Sequence, residues 1–198
     1  QQFQDYLIWA RSKGVDFKLS TYTDEGVVAK DLRARRCDAA GLTGIRTKQF
    51  VDFAGSLDMV GGLQTYAQQH TAIRVMASDK AADLMSEGPY TVAGVLPGGK
   101  VYLFSRDKGF LDSLEAAAGK KVAVIGYDKQ ASVVANVAGA SPVPASIASF
   151  GPMFNNHSVD MAYAPPIAYE PLELYEGLGD SGGVADFVLG MLSLQMVV

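Results

Sequence analysis

The strongest constraint on this chain is that its folding pattern starts twice. Val15 to Tyr22 alternates apolar and polar residues (V-D-F-K-L-S-T-Y) as a half-buried strand would, and Asp24 is placed to cap a helix over Glu25 to Arg36. From Leu111 a similar series begins: helix Leu111 to Ala118, Gly119, strand Lys121 to Ile125, helix Ala131 to Ala138, Gly139, then an extended Pro142-Val143-Pro144. Two α/β units of about 100 residues each can both bury a core. The 198 residues therefore predict two lobes joined near Ser105.

The remaining elements fit this frame. Phe3, Tyr6, Leu7 and Ala10 fall on one face of a first helix that stops at Lys13-Gly14. Cys37 to Thr43 reads as a second strand, giving the α-β-α-β rhythm of a parallel sheet. The pattern between Gly61 and Gly88 is helical and Pro89 closes it; Tyr90 to Leu96 and Val101 to Ser105 read as strands separated by a Pro97-Gly98-Gly99-Lys100 turn. Ser149 to Asn155 predicts a turn or short helix, Val159 to Ala164 a strand, and the stretch around Tyr169 to Tyr175 a helix. The start enters a helix without a cap and the apolar end FVLGMLSLQMVV has no terminator, so a chain truncated at both ends is expected.

A net charge of −4 offers no basic field, which argues against a nucleic-acid partner. No apolar run approaches the roughly 20 residues needed to span a bilayer, so no direct membrane insertion is expected. The single Cys37 cannot form an internal disulfide and reads as an inert thiol. His70 and His157 lie far apart in polar surroundings, and no metalloprotease, nucleophile-elbow or phosphate-loop spacing occurs. Gly94-Val-Leu-Pro-Gly-Gly leads into a strand rather than a helix, so it is not a dinucleotide fingerprint. No enzyme, cofactor or metal is expected from these residues.

From Leu111 the order Leu-x-x-Leu, Gly119-Lys120-Lys121-Val122, Gly139-Ala140-Ser141-Pro142-Val143, Phe154-Asn155-Asn156 and Val159-Asp160 resembles the second lobe of TRAP-transporter solute receptors. Val101 to Ser105 is similar to their inter-lobe strand. Upstream, Tyr22-Thr23-Asp24-Glu25, Cys37-Asp38 and Thr43-Gly44-Ile45-Arg46 with Gln49-Phe50 resemble an uncharacterised branch of solute-binding proteins. The likeness covers residues 1 to about 190. It implies a two-lobed type II periplasmic binding protein fold, with lobe 1 at residues 1–104, lobe 2 at 105–183, and 184–198 as a crossing strand returning to lobe 1. It also implies a periplasmic protein that holds a small-molecule solute between the lobes, with the membrane subunits of a transporter as partner. Two positions depart: Ala123 stands where carboxylate-binding members carry an arginine, and Ala164 where they carry an asparagine.

Thr43-Gly44-Ile45-Arg46 turns from a strand into a helix, so its free N–H groups and the Arg46 guanidinium face the carboxyl edge of the sheet, where small ligands bind. Tyr22 ends the preceding predicted strand. Tyr127 and Tyr163 follow or end strands of the second unit, and Phe104, Phe150 and Asn155 complete the ring of ligand-binding candidates. Aromatic walls with few charges would suit a moderately apolar or cyclic solute. Two other functions fit the same fold: an enzyme, which needs a reactive group in the cleft, or a cytoplasmic effector-binding regulatory module.

Overall fold

A computed structural model of the chain describes residues 2–198, with side chains from Asp5 onward. Helix α1 spans Gln2–Ser12; Ala10 is buried, Leu7 half-buried and Tyr6 exposed, while Phe3 lies outside the described side chains. Lys13 and Gly14 form a turn, and residues 15–22 form no strand. Val15, Phe17 and Leu19 are as open to solvent as the polar residues between them, because no sheet edge lies alongside to bury the apolar face. Helix α2 (Glu25–Arg33) begins where expected: the Asp24 carboxylate accepts the Gly26 N–H at 2.6 Å. It ends earlier than the sequence pattern suggests, with Arg35 in a left-handed conformation.

Strand β1 (Ala40–Thr43) runs into the single turn α3 (Gly44–Thr47), whose Arg46 N–H donates to the Thr43 hydroxyl at 3.3 Å. A 3-10 turn at Phe53–Asp58 follows, then α4 (Tyr66–Met76), started by a Thr65/Gln68 capping box. The helical pattern before Pro89 ends in a 3-10 segment, Asp79–Met85, and a short strand β2 (Ser86–Glu87).

Strand β3 (Tyr90–Ser105) replaces the expected pair of strands and turn. Pro97 to Gly99 is a bulge within it, where the register slips and Gly99 takes φ +99°. The second unit comprises β4 (Lys121–Ile125), α5 (Lys129–Val137), β5 (Ser141–Ala145), α6 (Ile147–Asn155), β6 (Met161–Ala164), α7 (Leu174–Leu178) and β7 (Gly183–Val184). Leu111 to Ala118 is not a continuous helix; 3-10 turns at Lys108–Leu111 and Glu115–Ala117 occupy that region, the first started by the Asp107 carboxylate. Likewise the helix expected around Tyr169 is displaced to α7, since Pro171 has no N–H to donate and disfavours a helical Glu170.

Strand β8 (Gly190–Val197) closes the chain between β1 and β3, antiparallel to both. The parallel sheet expected for the first unit is therefore an antiparallel β1-β8-β3 set, because the strand beside β1 comes from the far end of the sequence. In the second unit β6, β4 and β5 are parallel and β3 joins them antiparallel through Tyr102–Ser105. One apolar core lies on the first set, around Leu42, Phe50, Val51 and Leu57. Two lie on the second, one around Phe150, Phe154 and Leu174 and the other around Val122, Val124 and Met161.

The α6–α7 contact gives a stability test. Phe154 is fully buried, and a Cβ on Gly177 would stand 2.3 Å from its ring. Gly177→Ala is expected to cost about 1–3 kcal/mol through overpacking, and Phe154→Ala about 3–5 kcal/mol. In urea unfolding the double variant should lose less than the sum, since deleting the ring makes room for the new methyl.

Candidate functional site

The carboxyl ends of β1 and β4 face each other across a cleft of about 390 Å³. Its walls come from both units: Ile45, Lys48, Gln49 and Asp58 on one side, Tyr127, Asp128, Lys129 and Gln130 on the other. Strand ends supply these positions for a backbone reason, since the chain leaving a strand and entering a helix turns sharply and exposes unpaired N–H groups.

At the end of β1 the Thr43 N–H donates to the Glu25 carboxylate, and the Thr43 hydroxyl donates to the same carboxylate at 3.1 Å. A third donor comes from the opposite unit, the Tyr127 hydroxyl just after β4. Burial, the Glu25 charge and this hydrogen bond all push the Tyr127 phenol well above its ordinary value. The Arg46 guanidinium lies over the Tyr127 ring, 3.3 Å from its centre. Arg46 also donates to Gln49 at 3.4 Å, while its buried Nε has no partner among the described residues. A further bond crosses between the units, from the Val60 N–H to the Gln130 side chain at 3.2 Å.

Behind Tyr127, the buried Asp128 carboxylate caps α5 through the Ala131 N–H at 3.0 Å and accepts the Tyr163 hydroxyl at 3.0 Å. That hydroxyl in turn accepts the Ile125 N–H at 3.1 Å. Burial and the Asp128 charge raise the Tyr163 phenol far above its usual range, so it stays a donor. On the other side, buried Asp58 accepts the Ser193 hydroxyl at 2.5 Å and the Ser193 N–H at 3.1 Å, tying the cleft floor to β8. Desolvation pushes its pKa up to about 7, opposed by these bonds and by the Gly44 and Ile45 N–H groups.

Of the residues singled out in the sequence, Thr43, Arg46 and Tyr127 come together here, with Tyr163 one layer behind. Tyr22 is exposed and donates to Asp31 at 2.9 Å on α2 instead of joining the group. Phe104 and Phe150 are buried in the second unit's core, and Asn155 donates to the Leu172 carbonyl at 2.9 Å. The aromatic wall expected of the cleft is thus not formed, and Tyr127 is the aromatic residue that lines it. Sequence reasoning missed Glu25, which read only as the first residue of a predicted helix and part of the Tyr22-to-Glu25 resemblance, and Asp58, which follows no pattern. A larger cavity of about 530 Å³ lies on the second unit beside Phe110, Leu111, Val134 and Phe187. It is lined almost wholly by apolar groups, without the converging polar groups that orient a small ligand.

The sequence pattern of the family described as solute-binding protein AdeT 1/2 matches residues 5–195. The chain belongs to that family. It is 37% identical over 195 residues to the probable solute-binding protein AdeT1 of Acinetobacter baumannii. Of similar solved structures, a TRAP periplasmic solute-binding protein from Citrobacter koseri with bound D-glucuronate superposes with a TM-score of 0.80 at 12% identity, over all of this chain and 65% of that one. Another, from Desulfovibrio salexigens with bound orotic acid, gives 0.78 at 15% identity over 97% of this chain and 61% of that one. These likenesses establish the two-lobed periplasmic binding protein fold. The chain spans 64% of the length of the curated relative and covers 98% of its own residues in that match. Among the described residues no helix is long and apolar enough to cross a membrane, and no cluster of His, Cys, Asp and Glu is arranged to hold a metal ion.

Asp58 sets an unusual pH dependence for this AdeT-family fold. Its folded pKa of about 7 lies above the ordinary 3.8, so between those values the folded chain binds more protons than the unfolded one. Stability from this group therefore falls as pH rises from about 4 to about 7 and levels off above. Asp58→Asn should gain stability relative to the parent as pH rises through this window, by a few kcal/mol at most. Melting temperatures of the two proteins from pH 5 to about pH 8 check the sign.

Proposed function

We propose that the chain is the greater part of a receptor that captures a small polar solute in this cleft. By this reading it works outside the cytoplasmic membrane, in the periplasm, and presents the solute to the membrane subunits of a transporter. Residues 1–104 and 105–183 are the two lobes, and 184–198 is the strand that returns to the first. The observation that carries the reading is the Tyr127 side chain, whose hydroxyl reaches Glu25 and whose ring lies under Arg46, so that groups of both units meet at the strand ends. Closure of the lobes makes these contacts, and a solute favours closure by the difference in its affinity for the two states.

The cleft volume is at the small end of what metabolite sites occupy, roughly 300–1,000 Å³, and its walls are polar on both sides. The structural neighbours named above hold acids, glucuronate and orotate. Here the position that the sequence resemblance assigns to a carboxylate-binding arginine is Ala123, which is buried in the second core. The solute is accordingly polar but is not an acid held at that position. Binding rather than catalysis is favoured because the cleft carboxylates are already engaged, Asp128 in capping α5 and Asp58 in holding Ser193.

Native mass spectrometry of the full-length protein isolated from its host tests this. A non-covalent small molecule at one per chain is expected, and Arg46→Ala should weaken its binding about tenfold or more while circular dichroism stays unchanged. Release of a chemically altered product, or retention of full affinity by Arg46→Ala, would overturn it.

A further inference from the structure

The Glu25 carboxylate is held in the way a protein holds a bound acid. It reaches from the start of α2 to the corner where β1 enters α3 and accepts a backbone N–H and a hydroxyl from Thr43. From the opposite unit it accepts the Tyr127 hydroxyl. A guanidinium lies beside it without forming an ion pair in the structure, since Arg46 stacks on the Tyr127 ring and approaches α2 at Gly26, where a Cβ would stand 3.4 Å from its Nη2. The donors that a solute carboxylate would need at this edge of the cleft are thereby used by a side chain of the protein itself. Of the three hydrogen bonds to this carboxylate, the one from Tyr127 crosses between the units.

We propose that Glu25 is an internal ligand, its carboxylate taking the place of a solute carboxylate between Thr43 and Tyr127, latching the lobes and excluding acidic solutes from that subsite. The inference rests on the receptor reading for the identity of the cleft, but it concerns which class of molecule the cleft refuses. An incoming acid meets a fixed negative charge and donors that are already satisfied. A neutral or cationic polar solute meets neither obstacle.

The latch is tested by returning the subsite to solvent. Glu25→Ala leaves the Thr43 N–H, both hydroxyls and the Arg46 guanidinium facing a space of carboxylate size. Propionate and succinate are the probes, with binding followed by calorimetry and lobe separation by small-angle scattering. In the parent, neither acid is expected to bind at millimolar concentration. In Glu25→Ala both should bind at least about tenfold more tightly than in the parent, and adding Tyr127→Phe should reduce that gain. Without acid, Glu25→Ala should also be the more open of the two, and propionate should restore the compact form. Should Glu25→Ala prove poorly folded, Glu25→Gln keeps the shape and loses the charge, and its scattering profile should still shift toward the open form. A parent that binds the acids as well as Glu25→Ala overturns the latch, and so does a folded Glu25→Ala that stays compact and binds neither. Those outcomes leave the receptor reading intact if a natural solute is found, whereas a working latch with no natural solute would count against the receptor instead.

Discussion

Both units of this molecule are built on β3, which pairs with β8 in the first and with β6 in the second. One strand of 16 residues pairs with β8 from Val92 to Val101 in the β1-β8-β3 set and gives its last four residues to the sheet of β6, β4 and β5. The chain passes between the units twice, within β3 at Val101/Tyr102 and again between β7 and β8, where the Ala185 and Leu189 N–H groups donate to the Leu103 and Val101 carbonyls. Ladders resist stretching but tolerate twist at bulges, and β3 has two register shifts, one at Val92/Gly94 and one at Pro97/Gly99. Pro97 cannot donate and Gly99 adopts a conformation that side chains disfavour, so the irregularity of β3 falls inside the β1-β8-β3 set, ahead of the Val101/Tyr102 passage to the second unit.

That same arrangement accounts for the cleft. Because β8 lies beside β1, Ser193 is brought under the first turn of α3, where it and the Gly44 and Ile45 N–H groups surround Asp58. The packing leaves no room for a side chain at position 44: a Cβ there would lie 2.5 Å from the Asp58 carboxylate and 2.6 Å from the Ser193 hydroxyl. Gln195, two residues along, donates to the Ala54 carbonyl at 2.9 Å and fixes the adjoining 3-10 turn. Strand β8 and the floor of the site are thus tied into a single polar cluster, which makes the position of Arg46 and Thr43 depend on the strand that returns from the second unit.

The second unit was the more legible half in the sequence. Its strands at Lys121–Ile125 and Ser141–Ala145 lie where the apolar runs and the glycines after each helix predict. Local signals place these two strands because they are neighbours in space as well as in sequence, although the helix expected over Leu111 to Ala118 is broken into 3-10 turns. In the first unit they mislead: Val15 to Tyr22 has the alternation of a strand but no edge to pair with, and Pro-Gly-Gly has the chemistry of a turn but serves as a bulge. The site shows the same division. Thr43, Arg46 and Tyr127 were legible as strand-end residues, whereas Glu25 gains its role from a partner 102 positions away, a separation that no local pattern records.

An internal carboxylate changes how closure has to be understood. A solute shifts the equilibrium between open and closed lobes only by binding the closed form more tightly, and nothing that stabilises both forms equally contributes. The bonds from Tyr127 to Glu25 and from Val60 to Gln130 cross between units and exist only when the lobes are near each other. On the receptor reading they lower the free-energy gap that a solute must cover, so a small polar molecule can shut the cleft with fewer contacts of its own. The cost falls on discrimination. With part of closure supplied by the protein, the difference between a right and a wrong solute must come from the remaining cleft side chains, among them Lys129 and Lys48, the latter 3.7 Å from Asp52.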